Sequence, residues 1–137
     1  RRMNMSRKSD HIGVAVHDLD VAVKFYQDHL KLELKEVKEM PERGLKIAFF
    51  QVGETLLELL APLSEDSQVS KFLAKNGEGI HHLAFTTPDI DAHIKELTNN
   101  GIRMATPTAS IGAEGYPIAF LHPKASHGVL TEIIEKP

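Results

Sequence analysis

The sequence contains an internal repeat, and a repeat restricts the folds open to a chain more than any other feature of its sequence. His11 opens a short apolar run, and Asp18 follows seven residues after it. His82 opens a similar run, and Asp89 again follows seven residues later. A helix-like stretch begins after each aspartate. The order of histidine, strand and helix therefore occurs twice.

The second halves of the two copies also match. Residues 47–50, Ile-Ala-Phe-Phe, correspond to residues 118–121, Ile-Ala-Phe-Leu. Each of these runs precedes a turn and a final apolar strand, at residues 56–60 in the first copy and 129–134 in the second. Each copy is thus a strand, a helix and a run of strands. This pattern predicts an α+β fold made of two tandem modules related by a pseudo-two-fold axis.

The length of the chain limits how these modules are organised. A chain of 137 residues is long enough for one domain with a substantial core and too short for two ordinary ones. We therefore expect a single domain in which residues 10–61 form module 1, residues 62–79 a linker and residues 80–137 module 2. Residues 1–9 are basic and lack an apolar core or cleavage pattern, so we expect them to be a disordered N-terminal tail.

Three helices are predicted from apolar spacing and capping residues. Asp18 is expected to cap the first helix, and a short helix is expected over residues 67–75 of the linker. The third helix follows Asp89. The apolar residues near helical spacing are Val21, Phe25 and Leu30 in the first helix, and Ile94 and Leu97 in the third.

The composition excludes several classes of function. The net charge of -3 gives no basic surface for a nucleic acid, and no apolar run approaches the roughly 20 residues of a membrane helix. We therefore expect neither a nucleic acid nor a membrane as a partner, and a cytoplasmic enzyme or binding domain. The chain has no cysteine, so thiolate sites are impossible and any metal ion must be held by nitrogen and oxygen ligands.

Strand alternation places both repeat histidines on faces lined by small residues. Successive side chains of a strand point to opposite faces, so His11 shares its face with Gly13 and Ala15. In the second copy His82 shares its face with Ala84 and Thr86, whereas Leu83 and Phe85 are expected to face a helix-covered core. The adjacent His81 has the opposite parity, and we expect a structural or supporting role for it.

Two glutamates interrupt otherwise apolar strands at equivalent positions of the repeat. These are Glu58 in Leu-Leu-Glu-Leu-Leu and Glu132 in Leu-Thr-Glu-Ile-Ile. A buried carboxylate is unfavourable unless it is paired or bound to a metal. Any one of these residues could be a satisfied core histidine or a paired acid. Together, two histidines and two glutamates in the same order predict a single divalent metal site formed by His11, Glu58, His82 and Glu132.

Three stretches carry a resemblance to a known family: DHIGVAVHDLDVAVKFYQDHL, LLELLAPLSEDSQVSKFLAKNGEGIHHLAF and IGAEGYPIAFLHPKASHGVLTEI. The chain resembles the vicinal oxygen chelate superfamily, also called glyoxalase-like, and within it the methylmalonyl-CoA epimerases, from Asp10 to about Ile133. The resemblance implies two βαβββ modules in a metal-centred open β-barrel. It also implies an isomerase that interconverts (R)- and (S)-methylmalonyl-CoA by moving the proton on C2, and a homodimer.

The resemblance also assigns roles to single residues. The metal ligands of the family fall on His11, His82 and Glu132, with Glu58 at the fourth position, where some members have glutamine. Co, Zn, Mn and Ni all fit this set of ligands. The stretch EMPERGLKIAFF places an acid/base residue of the family on Glu42, and Glu132 is expected to be the second proton-transfer group. Glu39 lies in the same polar stretch and is the alternative to Glu42.

The chain departs from the family pattern at two places. It has Glu114 and Tyr116 where the family commonly has histidine and lysine in GAHGKP, and His127 where a glycine is usual. Because of these changes, another acyl-CoA or another thioester is an alternative substrate. The alternatives are a glyoxalase I-type lactoylglutathione lyase, a non-catalytic metal- or small-molecule-binding protein of this fold, and a dioxygenase. Glu58 at the fourth ligand position argues against the dioxygenase.

Overall fold

The structure is a computed structural model that describes residues 7–137, and within it the chain divides into two compact units. The first unit is His11–His81. The second unit is His82–Pro137 together with residues 7–10. Of the predicted tail, residues 1–6 lie outside the described residues. The Lys8 backbone N–H donates to Thr86 Oγ1, and the Thr86 backbone N–H donates to Lys8 O. The first strand begins at Ser9.

Eight strands and three α-helices are present in the described part of the chain. In chain order, the elements up to the linker helix are β1 Ser9–Ala15, α1 Leu19–Asp28, β2 Glu33–Met40, β3 Leu45–Val52, β4 Thr55–Pro62 and α2 Gln68–Asn76. The remaining elements are β5 Gly79–Thr87, α3 Ile90–Asn99, β6 Ser110–Ile111, β7 Pro117–Leu121 and β8 Thr131–Glu135. The order β-α-β-β-β therefore occurs twice. None of the described helices is long and apolar enough to cross a membrane.

The first unit has the strand order β2-β3-β4-β1, in which β1 runs parallel to β4 and the other neighbours are antiparallel. Helix α1 covers one face of these strands. The core between the helix and the strands consists of Val16, Leu19, Ala48, Phe50, Leu59 and Ala61. Since Val14 also packs against this core, the apolar face of β1 is the one opposite to His11, as strand alternation predicted.

The apolar face predicted for α1 is wrong, although its cap is confirmed. Asp18 Oδ1 accepts a hydrogen bond from the Val21 backbone N–H at 3.1 Å, so the helix begins at Leu19. Val21 and Phe25 are nevertheless 66% and 49% exposed. Counted from Leu19, the residues at helical spacing that pack on the sheet are Ala22, Val23 and Tyr26. Val21, Phe25 and Leu30 lie outside this stripe and remain largely exposed.

The second unit has the strand order β5-β8-β7-β6, with β5 parallel to β8 and the remaining neighbours antiparallel. Helix α3 begins after Asp89, whose side chain accepts from the Ala92 N–H. The core consists of Ile90, Ile94, Ala119 and Ile133, with Leu97 packed against it, which confirms the face predicted for α3. Phe85 pairs with Ile133 and so points to the same side, but it is 42% exposed, contrary to expectation.

Candidate metal-binding pairs and proton-transfer residues

His11 and Glu58 are in contact inside the first unit. The parallel register pairs Gly13 of β1 with Glu58 of β4. His11 lies two residues before Gly13, so it points to the same side of the strands as Glu58 and meets it diagonally. The Nδ1 atom of His11 is 3.4 Å from Oε2 of Glu58, and both residues are 4% exposed. One predicted pair of ligands is therefore adjacent and buried.

His82 and Glu132 make the equivalent contact inside the second unit. Here the parallel register pairs Ala84 of β5 with Glu132 of β8, and His82 again lies two residues before the paired position. The Nε2 atom of His82 is 3.3 Å from Oε1 of Glu132, and both side chains are buried. The repeat read from the sequence is thus reproduced in strand register, down to the diagonal contact between histidine and glutamate.

The separations within these pairs suit ligands of a metal ion. A charge-assisted hydrogen bond between nitrogen and oxygen is typically about 2.7–2.9 Å long. Two ligands bound tetrahedrally to one zinc-like ion at about 2.1 Å lie about 3.4 Å apart. The observed distances of 3.4 Å and 3.3 Å lie in the range that two ligands of one ion span. Buried imidazole and carboxylate groups are also the nitrogen and oxygen donors that borderline divalent ions accept.

His81 takes no part in this arrangement. Its ring packs edge-on against Phe72 of α2, with 4.8 Å between ring centroids. Burial lowers the pKa of His81, so the neutral imidazole is favoured. The choice of His82 over His81 as the metal ligand, which rests on strand parity, stays a prediction.

Glu42 lies in a short turn between β2 and β3. Residues Pro41–Arg43 form a single 3-10 turn that ends at Gly44, the Pro41–Gly44 turn. Pro41 begins the turn and Glu42 is exposed to solvent. Glu39, the alternative acid, belongs to β2 and is also exposed. The proton-transfer role of Glu42 remains a prediction.

Lys136 lies in a cluster with Glu114 and Tyr116, the two residues of the turn before β7 that depart from the family pattern. The Lys136 ammonium lies 2.7 Å from Asp10 Oδ1 and 3.0 Å from Glu114 Oε1, and 5.3 Å from the centre of the Tyr116 ring. Burial opposes the charge on Lys136, but its hydrogen bonds to Asp10 and Glu114 outweigh burial and raise its pKa. Glu114 and Tyr116 thus serve an internal ion pair and a cation–π contact.

Neither Lys136 nor Asp10 was found by reasoning from the sequence. Lys136 follows the last strand and Asp10 precedes His11, and neither position stands out in an apolar pattern. The parity of β8 offered one signal, because Lys136 lies four residues after Glu132 and hence on the same side of the extended chain.

A family profile and several known proteins match the chain. The profile described as Glyoxalase/Bleomycin resistance protein/Dioxygenase superfamily matches residues 10–120. A mitochondrial methylmalonyl-CoA epimerase of Mus musculus is 42% identical over 125 residues, which cover 90% of this chain and 70% of that protein.

Solved structures are similar over nearly the whole chain. The crystal structure of a methylmalonyl-CoA epimerase from Mycobacterium tuberculosis has a TM-score of 0.88 and 40% identity, covering 94% of this chain and 87% of the other. A methylmalonyl-CoA epimerase in complex with methylmalonyl-CoA and NH4+ has a TM-score of 0.88 and 42% identity, covering 94% of both chains.

Proposed function

The chain belongs to the methylmalonyl-CoA epimerases of the glyoxalase/bleomycin resistance protein/dioxygenase superfamily, and on this premise we propose that it interconverts (R)- and (S)-methylmalonyl-CoA. The resemblance and the fold class predicted from the sequence are thereby confirmed. The proposal includes an acyl-CoA as substrate, and the cytoplasmic location and the homodimer expected above.

The proposed cofactor is one divalent metal ion, held by His11, Glu58, His82 and Glu132. The observation that carries this proposal is the duplicated contact between a buried histidine and a buried glutamate, at 3.4 Å in one unit and 3.3 Å in the other. The residues also coincide with the ligand positions that the resemblance implies. When bound, the ion supplies stabilisation for the negative charge of an enolate formed at the thioester.

The proposed proton transfers use one carboxylate on each face of the planar enolate. Glu42 takes the C2 proton of one epimer and Glu132 delivers a proton to the opposite face, and the roles reverse for the other epimer. A glutamate with an ordinary pKa of about 4.3 is a weak base, but a carboxylate positioned against an acidified carbon contributes about 100- to 10,000-fold. Glu132 thus combines two roles, whereas Glu58 is a ligand only.

The test is exchange and inversion at C2 in deuterated water. Metal-replete protein should incorporate deuterium at C2 of methylmalonyl-CoA and racemise it. Glu42→Ala should lower the rate of inversion by at least about 100-fold and retain the bound metal. Protein that binds metal yet neither exchanges nor inverts this substrate would contradict the proposal. A lactoylglutathione lyase assay on the same sample tests the principal alternative.

A further inference from the structure

We propose that Gly44 is a positioning residue that holds the Pro41–Gly44 turn, and with it Glu42, in place for proton transfer. This inference rests on the proposed function of Glu42. Gly44 ends the turn with a left-handed backbone, at φ 66°, and its N–H donates to Pro41 O at 3.0 Å. The carbonyl of Gly44 accepts a hydrogen bond from the Leu63 N–H at 2.7 Å, just after β4. The turn is therefore closed by a hydrogen bond of its own, and its C-terminal end is tied to the segment after β4.

The close approach of Gly44 to the segment before α2 leaves no room for a side chain. A Cβ atom at position 44 would lie 2.8 Å from Ser64 Oγ and 2.9 Å from Ser67 Cβ. The Ser64 hydroxyl can rotate away. Ser67 cannot move as easily, because it is buried and its Oγ caps α2 by accepting from the Ser70 N–H at 3.1 Å. Any side chain at position 44 must therefore push the turn away from Ser67.

Gly53 provides a comparison within the same unit. It has nearly the same backbone conformation, at φ 60°, in the turn between β3 and β4, but a Cβ atom there would have no neighbour within 4 Å. Conformational freedom is required at both positions. Only at Gly44 does packing also require the absence of a side chain. The extra requirement occurs two residues from Glu42.

A packed turn explains how an exposed carboxylate can serve as a base. Glu42 is exposed, and an acid on a mobile loop would sample many positions relative to a bound substrate. The two hydrogen bonds of Gly44 and its contact with Ser67 restrict the backbone that carries Glu42. A displacement of about 1 Å in a catalytic group can lower a rate by about 100-fold, so the fit of Gly44 has a direct consequence for turnover.

The experiment compares Gly44→Ala with Gly53→Ala in the metal-loaded protein, using methylmalonyl-CoA. Both variants add the same backbone strain. We expect Gly44→Ala to lower kcat by about 10- to 100-fold, with KM and bound metal little changed, and Gly53→Ala to retain kcat within about twofold. Deuterium exchange at C2 should survive for one epimer of the substrate in Gly44→Ala, since Glu132 is unaffected. Equal kcat values for the two variants would overturn the proposal.

A second substitution tests whether the contact with Ser67 is the cause. Ser67→Gly removes the clashing Cβ and leaves a residue that helix caps tolerate. Added to Gly44→Ala, it should restore kcat by about tenfold. Failure to restore would overturn the positioning role. Glu42→Gln separates the two hypotheses: if it leaves inversion intact, the proposed base is wrong, whereas impaired Glu42→Gln with unimpaired Gly44→Ala rejects only the role of Gly44.

Discussion

The two modules agree in their paired histidine and glutamate and differ in the hairpin turn that precedes the third strand of the module. In both copies the histidine lies two residues before the position paired with the glutamate. The turns diverge: Glu42 is exposed in the first module, whereas Glu114 in the second is paired with Lys136. Both turns thus contain a glutamate, but only the glutamate of the second module is held in an ion pair with Lys136.

Under the proposed function, this difference means that the two modules share the arrangement of the metal ligands and not that of the proton-transfer groups. Ligands of one ion have to meet the same requirement in each copy, so the same register suits both. Bases for the two faces of an enolate have no such constraint. In the proposed mechanism the first module contributes an acid from a turn and the second contributes Glu132 from a strand, while the turn of the second module forms an internal ion pair.

The largest expected difference is between the two equivalent glutamates Glu132 and Glu58. Glu132→Gln should lower kcat by at least about 1,000-fold, because it removes a base as well as a charged ligand. Glu58→Gln keeps an oxygen ligand and should lower kcat less than about tenfold. Steady-state kinetics with metal analysis of each variant measures this. Equal losses would show that the two modules are equivalent in catalysis.

Of the two turn glutamates, Glu42 should matter more for kcat than Glu114. Glu42→Gln should lower kcat by about 100- to 1,000-fold without loss of metal. Glu114→Gln should leave kcat within about threefold, because the proposed role of Glu114 is to pair with Lys136. A rate assay on both variants is sufficient. A large loss of activity in Glu114→Gln would place the second turn in the reaction.

Removal of the Lys136 ammonium should destabilise the protein without a matching loss of kcat. Lys136→Met leaves Asp10, which is 6% exposed, without its cation, and we expect a loss of about 2–3 kcal/mol in the free energy of unfolding at pH 7. Urea unfolding measures it. Unchanged stability would mean that the cluster contributes nothing to the fold.

The pH dependence of the free energy of unfolding tests the ion pairs of Lys136. The pKa of Lys136 is raised from its ordinary value of 10.5 in the folded protein. The stability that Lys136 contributes is therefore complete below pH 10.5 and is lost as the pH rises through the pKa of Lys136 in the folded protein. The stability difference between the unchanged protein and Lys136→Met should shrink at alkaline pH. A difference that grows with pH would contradict the assigned ion pairs.

The smallest expected effect concerns His81, the neighbour of the proposed ligand His82. Because burial lowers the pKa of His81 from 6.5, the unfolded chain binds a proton more readily than the folded one. The contribution of His81 is therefore present above pH 6.5 and is lost as the pH falls below it. In urea unfolding, His81→Phe should lose less stability between pH 7 and pH 5.5 than the unchanged protein, by about 1 kcal/mol or less.

The duplicated pairs could be predicted from the sequence because they depend on repeat spacing and strand parity, which are local properties. The face of α1 could not be predicted as easily. Val21 and Phe25 have helical spacing but lie outside the stripe that starts at Leu19, and the apolar side chains alone do not identify the buried stripe. The βαβββ pattern includes a strand after α1, but its position could not be read from the sequence for a related reason, since Glu-Leu-Lys-Glu-Val-Lys-Glu-Met is mostly exposed.

The Lys136 cluster could not be predicted because it joins residues that are distant in the chain. Asp10, Glu114 and Lys136 belong to three separate segments, and no periodic pattern relates a charge at one end of the chain to another at the opposite end. The Pro41–Gly44 turn is similar. The sequence contains a glycine at position 44, but only the packing of Ser64 and Ser67 shows why a side chain is excluded there.

The most direct test of the central claim, that both His–Glu pairs serve one metal ion, is the metal content of the protein and of two matched variants. The unchanged protein should bind one divalent ion per chain. His11→Ala and His82→Ala each remove one proposed ligand, from different modules. Each substitution alone should lower the affinity for the same ion at least about tenfold. Two ions per chain, or a variant that loses one ion and keeps another at full affinity, would contradict the shared site.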